Sequence, residues 1–340
     1  MAGVLDVFQS DAFSVLSLTD AINRQEYIPG RAGEIINWEE RGVATLDVLL
    51  EEISGTIRIL DPTPRGGPGH TIAKERRTAR SLKIPHYEVD DSVYADEVQS
   101  VRAFGSESQV QSVQRQVEER LADHVRLRLD PTLEYQRIGA IRGHILNGDG
   151  STLYNLFDFF DMPEPDTITF DLTGDGPSGA IRRRATEVVR YVSDAIKGLG
   201  FSGIYAFAGD RFFDDLIASP EVREVYLAQS EAPQLREGMA YRTFNYGGIT
   251  WENYRGRFNG TPFIDPDEAR VFPIGAPGLF RTVYGPADYS DTVNTVGLPR
   301  YSRQWPMQNG KGIHLSSQMN ALSYCTRPKV LVRGVRGASV

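Results

Sequence analysis

The sequence predicts an α+β fold, and three observations carry the prediction. Helical and strand patterns are interspersed without the regular alternation of βαβ units. One stretch, Ser106 to Leu146, keeps helical periodicity over most of its length. The chain closes on two strand-like runs, Ile313 to Arg327 and Lys329 to Val335, set around Arg327-Pro328.

Residues 1–54 mix short apolar clusters with polar spacers and have no strong period; Ser17–Ile22 starts a short helix and Thr45–Glu52 a strand. Such a segment gains little by packing on itself and is expected to lie along something else. Residues 55–89 read as a long two-stranded excursion. Thr56–Ile59 alternates polar and apolar, Asp61–Gly69 is a Pro/Gly tip, and Thr71–Val89 returns. A two-stranded ribbon has too little core to stand alone, so neighbouring copies are expected to complete it.

The long stretch opens on Ser106-Glu-Ser-Gln109, which has capping-box spacing. Val110, Val113, Val117, Leu121 and Val125 then lay one apolar stripe along a helix whose other faces are polar. From Glu107 to Leu129 that helix would be about 34 Å long at 1.5 Å per residue. Asp130-Pro131 reads as a break and a fresh N-terminus. Leu133, Ile138, Ile141 and Ile145 carry the stripe on to a stop at Asn147-Gly148.

Ser151–Phe160 reads as one half of a hairpin and Asp166–Leu172 as another strand. Ala180–Lys197 is an amphipathic helix, Ile204–Ala208 a short buried strand, and Asp210–Ala218 and Glu221–Gln229 two short helices separated by Pro220. Tyr241–Asn245, Ile249–Tyr254 and Ala269–Ile274 are strands, the first two joined by a Gly247-Gly248 turn.

At 340 residues the chain can bury a large core, in two domains or in one with insertions. No apolar run reaches the roughly 20 residues that cross a bilayer, and no basic leader precedes a hydrophobic segment, so neither membrane insertion nor export is expected. The single Cys325 rules out an internal disulfide and sits in an apolar run, where a buried inert thiol is expected. A net charge of −8 argues against a surface made to grip nucleic acid. The charge is unevenly spread: Glu39, Glu40, Glu51 and Glu52 belong to an acidic stretch, and Lys74, Arg76, Arg77, Arg80 and Lys83 to a basic one. Runs like these are ordinarily solvated faces; their functional reading is contact between acidic and basic segments of different copies.

Gly174-Asp-Gly-Pro-Ser-Gly179 matches a dinucleotide fingerprint between a strand and a helix. Pro177 removes an amide from the turn, the next strand's acid lies too far on, and no second βαβ unit follows. The five histidines are scattered, with no helical metal-ligand spacing and no cysteines to join them. His124 and His144 on the long helices are expected to be packed or solvated. Asp210, Asp214 and Asp215 suit a helix N-terminus by dipole alone. No catalytic residues, cofactor or metal are expected.

The order of parts is itself a pattern. Ile53–Gly55 opens the ribbon, Lys83–Val89 closes it, Val117–Leu121 lies on the long helix, and Phe263–Asp267, Ser317–Tyr324 and Arg327–Val332 follow. In these residues and their spacing the chain resembles the major capsid proteins of tailed bacteriophages with the Hong Kong 97-type fold, and within them the lambda-type major capsid protein E family. The resemblance implies an N-terminal arm (1–54), an extended loop (55–89), a peripheral domain built on a spine helix (90–165), an axial domain (166–299), and C-terminal strands (300–340) that complete the peripheral domain. It implies self-assembly into hexamers and pentamers that close an icosahedral shell around double-stranded DNA, touched weakly and non-specifically. It also implies scaffolding, portal and decoration proteins as partners, and a virion assembled in the bacterial cytoplasm. Two other readings stand beside it: a same-fold cellular compartment holding protein cargo, like an encapsulin, and a cytosolic dinucleotide-binding enzyme using the Gly174 turn.

Overall fold

The computed structural model describes residues 30–51, 79–95, 97, 109–172, 179–223, 225, 243–258, 260–308 and 310–337. A short helix α1 (Arg31–Ile35) leads into β1 (Glu39–Gly42), β2 (Asp47–Glu51), β3 (Ala79–Lys83) and β4 (His86–Tyr94). The spine is α2 (Gln109–His124), a π-helical turn (Val125–Leu129) and α3 (Asp130–Arg142). The hairpin β5 (His144–Leu146) and β6 (Thr152–Asn155) runs into the one-turn helix α4 (Leu156–Phe159). Next come β7 (Ile168–Thr169), α5 (Ala180–Ala195), β8 (Gly203–Ala208) and α6 (Asp210–Ala218). The rest is β: β9 (Thr243–Tyr246), β10 (Ile249–Asn253), β11 (Arg257–Phe258), β12 (Thr261–Pro262), β13 (Glu268–Ile274), β14 (Phe280–Tyr284), β15 (Tyr301–Pro306), β16 (Gly312–Cys325) and β17 (Val332–Val335).

The spine does not break where the sequence suggests. Leu129 keeps helical dihedrals (φ −72, ψ −44), and the Asp130 N–H reaches back five residues to the Val125 carbonyl. Pro131 lacks an N–H and its ring would press on the carbonyl four residues earlier; a wider π turn makes room for it. The turn also explains the stripe. Val117, Leu121, Val125, Leu129 and Leu133 are all buried, at strict steps of four. Each such step overruns a 3.6-residue turn by about 40°, so in an unbroken α-helix the column would wind away from the core. A turn that holds more residues takes up the overrun.

The spine ends at Arg142 rather than at Asn147. Gly143 adopts φ 77, and a Cβ there would lie 2.3 Å from the Phe157 ring. Ile145 therefore leaves the helical stripe and enters β5, still fully buried. The strand expected over Ser151–Phe160 stops at Asn155, whose side chain caps α4 by accepting the Phe157 N–H at 3.0 Å.

One sheet runs in the order β1-β14-β16-β15, with β4 also paired to β16. Ile313, Leu315, Met319 and Ala321 of β16 meet the spine stripe, together with Val93 and Tyr284. Beyond Asn320, where the pairing with β4 stops, Gln136 of α3 stands in for a strand. Its amide donates to the Ala321 carbonyl and accepts the Ser323 N–H, both at 2.8 Å, so buried backbone groups are not left unpaired. The second sheet runs β7-β17-β13-β8-β10-β9. Ile204, Ala206 and Ala208 of its central β8 pack towards α5 and α6, whereas Tyr205 and Phe207 enter the larger core shared with α3. Burial on both faces accounts for the unbroken apolar run at 204–208. The turn between β9 and β10 has φ 63 at Gly247 and 83 at Gly248, the primed geometry that only glycine adopts freely.

Strand membership crosses the expected boundary at 299/300 in both directions. β14, within 166–299, pairs with β16 in the spine sheet, and β17, within 300–340, pairs with β13 and β7 in the other sheet. The reason is the close succession of β16 and β17: the 3-10 turn Pro328–Val330 carries the chain from one sheet to the next. The Thr71–Val89 return is likewise two strands, β3 and β4, in different sheets. Of Asp166–Leu172 only Ile168–Thr169 pairs as strand. The expected elements Ser17–Ile22 and Thr56–Ile59, the tip Asp61–Gly69, and most of Glu221–Gln229 lie outside the described residues.

Candidate assembly interface

The foot of the ribbon is built from β2 and β3, antiparallel in the register Val48↔Leu82 and Leu50↔Arg80. Val48, Leu50, Leu82 and Ile84 are buried in the main core, and Ser81 and Lys83 face outwards. This is the alternation of a strand pair that lies on the body by one face. The Arg80 guanidinium donates to the Phe159 carbonyl and stands 3.8 Å from Asp161. The Tyr154 hydroxyl donates to the Lys83 carbonyl at 2.8 Å. Glu51 and Ala79 are register partners, so residues 52–78 leave and return at one point. Lys74, Arg76, Arg77 and Glu52 lie outside the described residues, as does the Glu51 side chain.

The arm is tied down where it meets the spine. The buried Glu134 carboxylate of α3 accepts the Ala32 N–H and the Tyr254 hydroxyl, each at 2.9 Å. Burial raises its pKa above the ordinary carboxylate value, against the pull of those two donors. A Cβ on Gly30 would lie 2.1 Å from the same carboxyl carbon, which requires glycine there. Arg31 donates to Glu252 of β10 at 2.6 Å, and Tyr205 donates to the other Glu252 oxygen. α1 thus spans the spine and the second sheet. Further along, β1 runs parallel to β14, Glu39 pairs with Arg281 at 3.1 Å, and Glu40 takes Arg137 and, at 3.0 Å, the Tyr284 hydroxyl. Glu39, Glu40 and Arg80, expected to face other copies, therefore each have a partner within this chain.

The remaining chemistry resolves into structural contacts. Of the Gly174–Gly179 turn only Gly179 is described, at φ 87 before α5. The α5 N-terminus already holds an anion: the Glu221 carboxylate accepts the Gly179, Ile181 and Arg182 N–H groups at 3.0, 3.3 and 3.0 Å. His124 is buried between Ser317 (2.9 Å) and Asp91 (3.3 Å). That is the connectivity of a hydrolytic triad, but the Ser317 side chain lies fully buried beneath the spine, where no substrate reaches it. Asp210 and Asp215, read from sequence through the dipole, also pair with arginines, Asp210 with Arg257 and Asp215 with Arg336. Cys325 is fully buried, and burial pushes its thiol up to about 12. Among the described residues no group of three or more His, Cys, Asp or Glu side chains is placed to hold a metal, and no helix there is long and apolar enough to cross a membrane.

A long helix laid along one sheet, a second sheet packed beside it, and a strand pair resting on the body by one face define an α+β body whose buried polar groups are spent on structural contacts. The chain belongs to the phage major capsid protein E family, which matches residues 14–336. It is 26% identical to the major capsid protein of Salmonella phage Felix O1 (isolate Felix O1-VT1), over 93% of this chain and 95% of that one. It is 27% identical to the major capsid protein of Pseudomonas phage KPP10, over 84% and 86% of the two chains. A solved structure described as a prophage capsid protein of E. coli CFT073 superposes with a TM-score of 0.59 at 12% identity, covering 96% of this chain and all of that one. The fold is accordingly the α+β, Hong Kong 97-type capsid fold, and the protein is a structural subunit of the phage head and not an enzyme.

Proposed function

We propose that copies of this subunit assemble into hexamers and pentamers that close an icosahedral shell around double-stranded phage DNA. The family match over residues 14–336 carries this reading. The geometry supports it: the described parts of arm and ribbon are fixed to the body through α1, β1, β2 and β3, and the sequences of residues 1–29 and 52–78 offer little core of their own. In the shell, Lys74, Arg76, Arg77 and Lys83 meet acidic surface that includes Glu51 and Glu52 of adjacent copies; pairs of this kind set register more than affinity. An excess of acid over base suits a container that must not adhere to the polyanion inside it. Scaffolding, portal and decoration proteins are its partners, and assembly takes place in the bacterial cytoplasm. The arm, extended loop, peripheral and axial divisions serve as names for these regions, with β14 and β17 exchanged between the last two.

Electron microscopy of the purified chain tests this. Capsomers, tubes or shells are the expected products, and a strictly monomeric species at high concentration would sink the reading. Shells recovered from infected cells should contain double-stranded DNA; protein cargo in its place would favour the cellular-compartment alternative.

A further inference from the structure

The arm helix α1 covers two buried carboxylates, Glu134 of α3 and Glu252 of β10. Burial, and then the charges of Glu134 and Glu252, raise the pKa of Tyr254, so the two share one neighbourhood. They are not equally compensated. Both Glu252 oxygens are engaged, one by Arg31 of α1 at 2.6 Å and the other by the Tyr205 hydroxyl. Glu134 uses a single oxygen for both of its donors, the Ala32 N–H and the Tyr254 hydroxyl, each at 2.9 Å. Its Oε2 is buried with no hydrogen-bond partner among the described residues.

The facing cations are committed elsewhere. Arg31, next to Ala32 on α1, pairs with Glu252 and Glu34, and Arg137, one turn along α3, pairs with Glu40. Burial is the strongest influence on Glu134 and lifts its pKa above the ordinary 4.5, against the two donors and Arg137. The cover over this carboxyl is the arm itself: a Cβ on Gly30 would lie 2.1 Å from its carboxyl carbon and 2.2 Å from Oε2. Lifting α1 away returns the group to water, where its charged form carries no burial cost.

We propose that Glu134 is a proton-operated latch for the arm: α1 lies closed on the spine while this carboxyl is neutral and opens more readily once it is charged. The latch belongs to the single subunit and requires no assembly. A carboxyl whose closed-state pKa lies above its free value contributes fully below that free value of 4.5, and the contribution is lost as the pH rises through the closed-state value. His124 acts in the opposite sense, because its contribution is lost towards acid.

Hydrogen exchange of the full-length subunit between pH 5 and 8, corrected for the intrinsic pH dependence of exchange, reads arm opening in peptides covering 30–42, with peptides of β8 as the reference. In the wild type the opening constant for 30–42 should rise with pH, by up to about tenfold per unit, the limit for one proton, and then flatten. Glu134→Gln keeps an acceptor and removes the charge, so its arm should stay about as protected at pH 8 as the wild-type arm is at pH 5. Tyr254→Phe removes a donor that favours the charged form, so the rise should continue to higher pH before it flattens. A wild-type arm whose opening ignores pH, a rise that persists in Glu134→Gln, or a rise shared equally by β8 would overturn the latch. Should Glu134→Gln fail to fold, Tyr254→Phe decides, and an unmoved flattening point overturns it as well.

Discussion

The Arg137 guanidinium of the spine, on a side chain only 1% exposed, closes on the Glu40 carboxylate of the arm while lying 5.0 Å from the centre of the Trp38 ring. Trp38 in turn donates its indole N–H to the Ala32 carbonyl at 3.0 Å. One buried cation thus holds the root of the arm by a charge and by an aromatic face. Replacing Arg137 with methionine removes both contacts and leaves Glu40 partly solvated. We expect a loss of about 2 kcal/mol, the scale for a hydrogen bond between charged groups, with faster hydrogen exchange over 36–42. Glu40→Gln should also destabilise, because it keeps an oxygen acceptor but takes this countercharge from a guanidinium that is only 1% exposed. Equal melting of Arg137→Met and wild type would contradict the anchor.

The spine stripe is tested by two leucines. Leu121 is fully buried and Leu127 is 60% exposed, though both lie within the same helical run. Leu121→Ala should cost about 3 kcal/mol and Leu127→Ala less than about 0.5 kcal/mol. Chemical denaturation of the two variants checks this, and comparable losses would mean the stripe is misplaced.

Acid should loosen the contact between spine and sheet in two stages. Burial depresses the His124 pKa, more strongly than Asp91 raises it. The unfolded chain therefore binds a proton before the folded one, and stability present above the ordinary value of 6.5 falls as the pH drops below it. For Asp91, burial acts upward but the Ser92 N–H, His124 and Arg120 outweigh it, so its pKa is lowered. Its contribution is present above the ordinary value of 3.8 and is lost as the pH falls further. His124→Gln should abolish the first stage and keep the second. Identical melting-temperature profiles against pH for variant and wild type would rule out His124 as the cause.

Charge reversal in the ribbon separates assembly from folding. Arg76→Glu with Arg77→Glu should leave the melting of the subunit unchanged and lower the yield of shells, with the deficit shrinking as salt is added. Arg80 is left out of this variant because its bond to the Phe159 carbonyl makes it part of the subunit. Undiminished shell yield would remove the charge-matching role.

Some of this architecture was legible residue by residue. The stripe at Val117, Leu121 and Val125, the α5 and α6 helices, the β8 run and the Gly247-Gly248 turn all follow from local periodicity and glycine geometry, which act over a few residues. Gln136, by contrast, is a polar residue on a polar-looking helix, and nothing nearby in sequence says that it completes the edge of β16. Phe157–Phe159 read as strand because apolar residues alone cannot tell a short helix from a strand; the Asn155 cap decided it.

By itself the sequence determined that this is an α+β chain with a long spine, and it raised the expectation of an arm and a ribbon with little core of their own, to be finished by neighbouring copies. Periodicity and composition are properties of the chain, and they survive without knowledge of contacts. Only the tertiary structure decided that the spine passes Pro131 through a π turn, that β14 joins the spine sheet and β17 the second sheet, and that Glu39, Glu40 and Arg80 are engaged within the subunit. Those outcomes depend on which distant groups must satisfy one another's charges, hydrogen bonds and volume once buried, and that matching exists only in three dimensions.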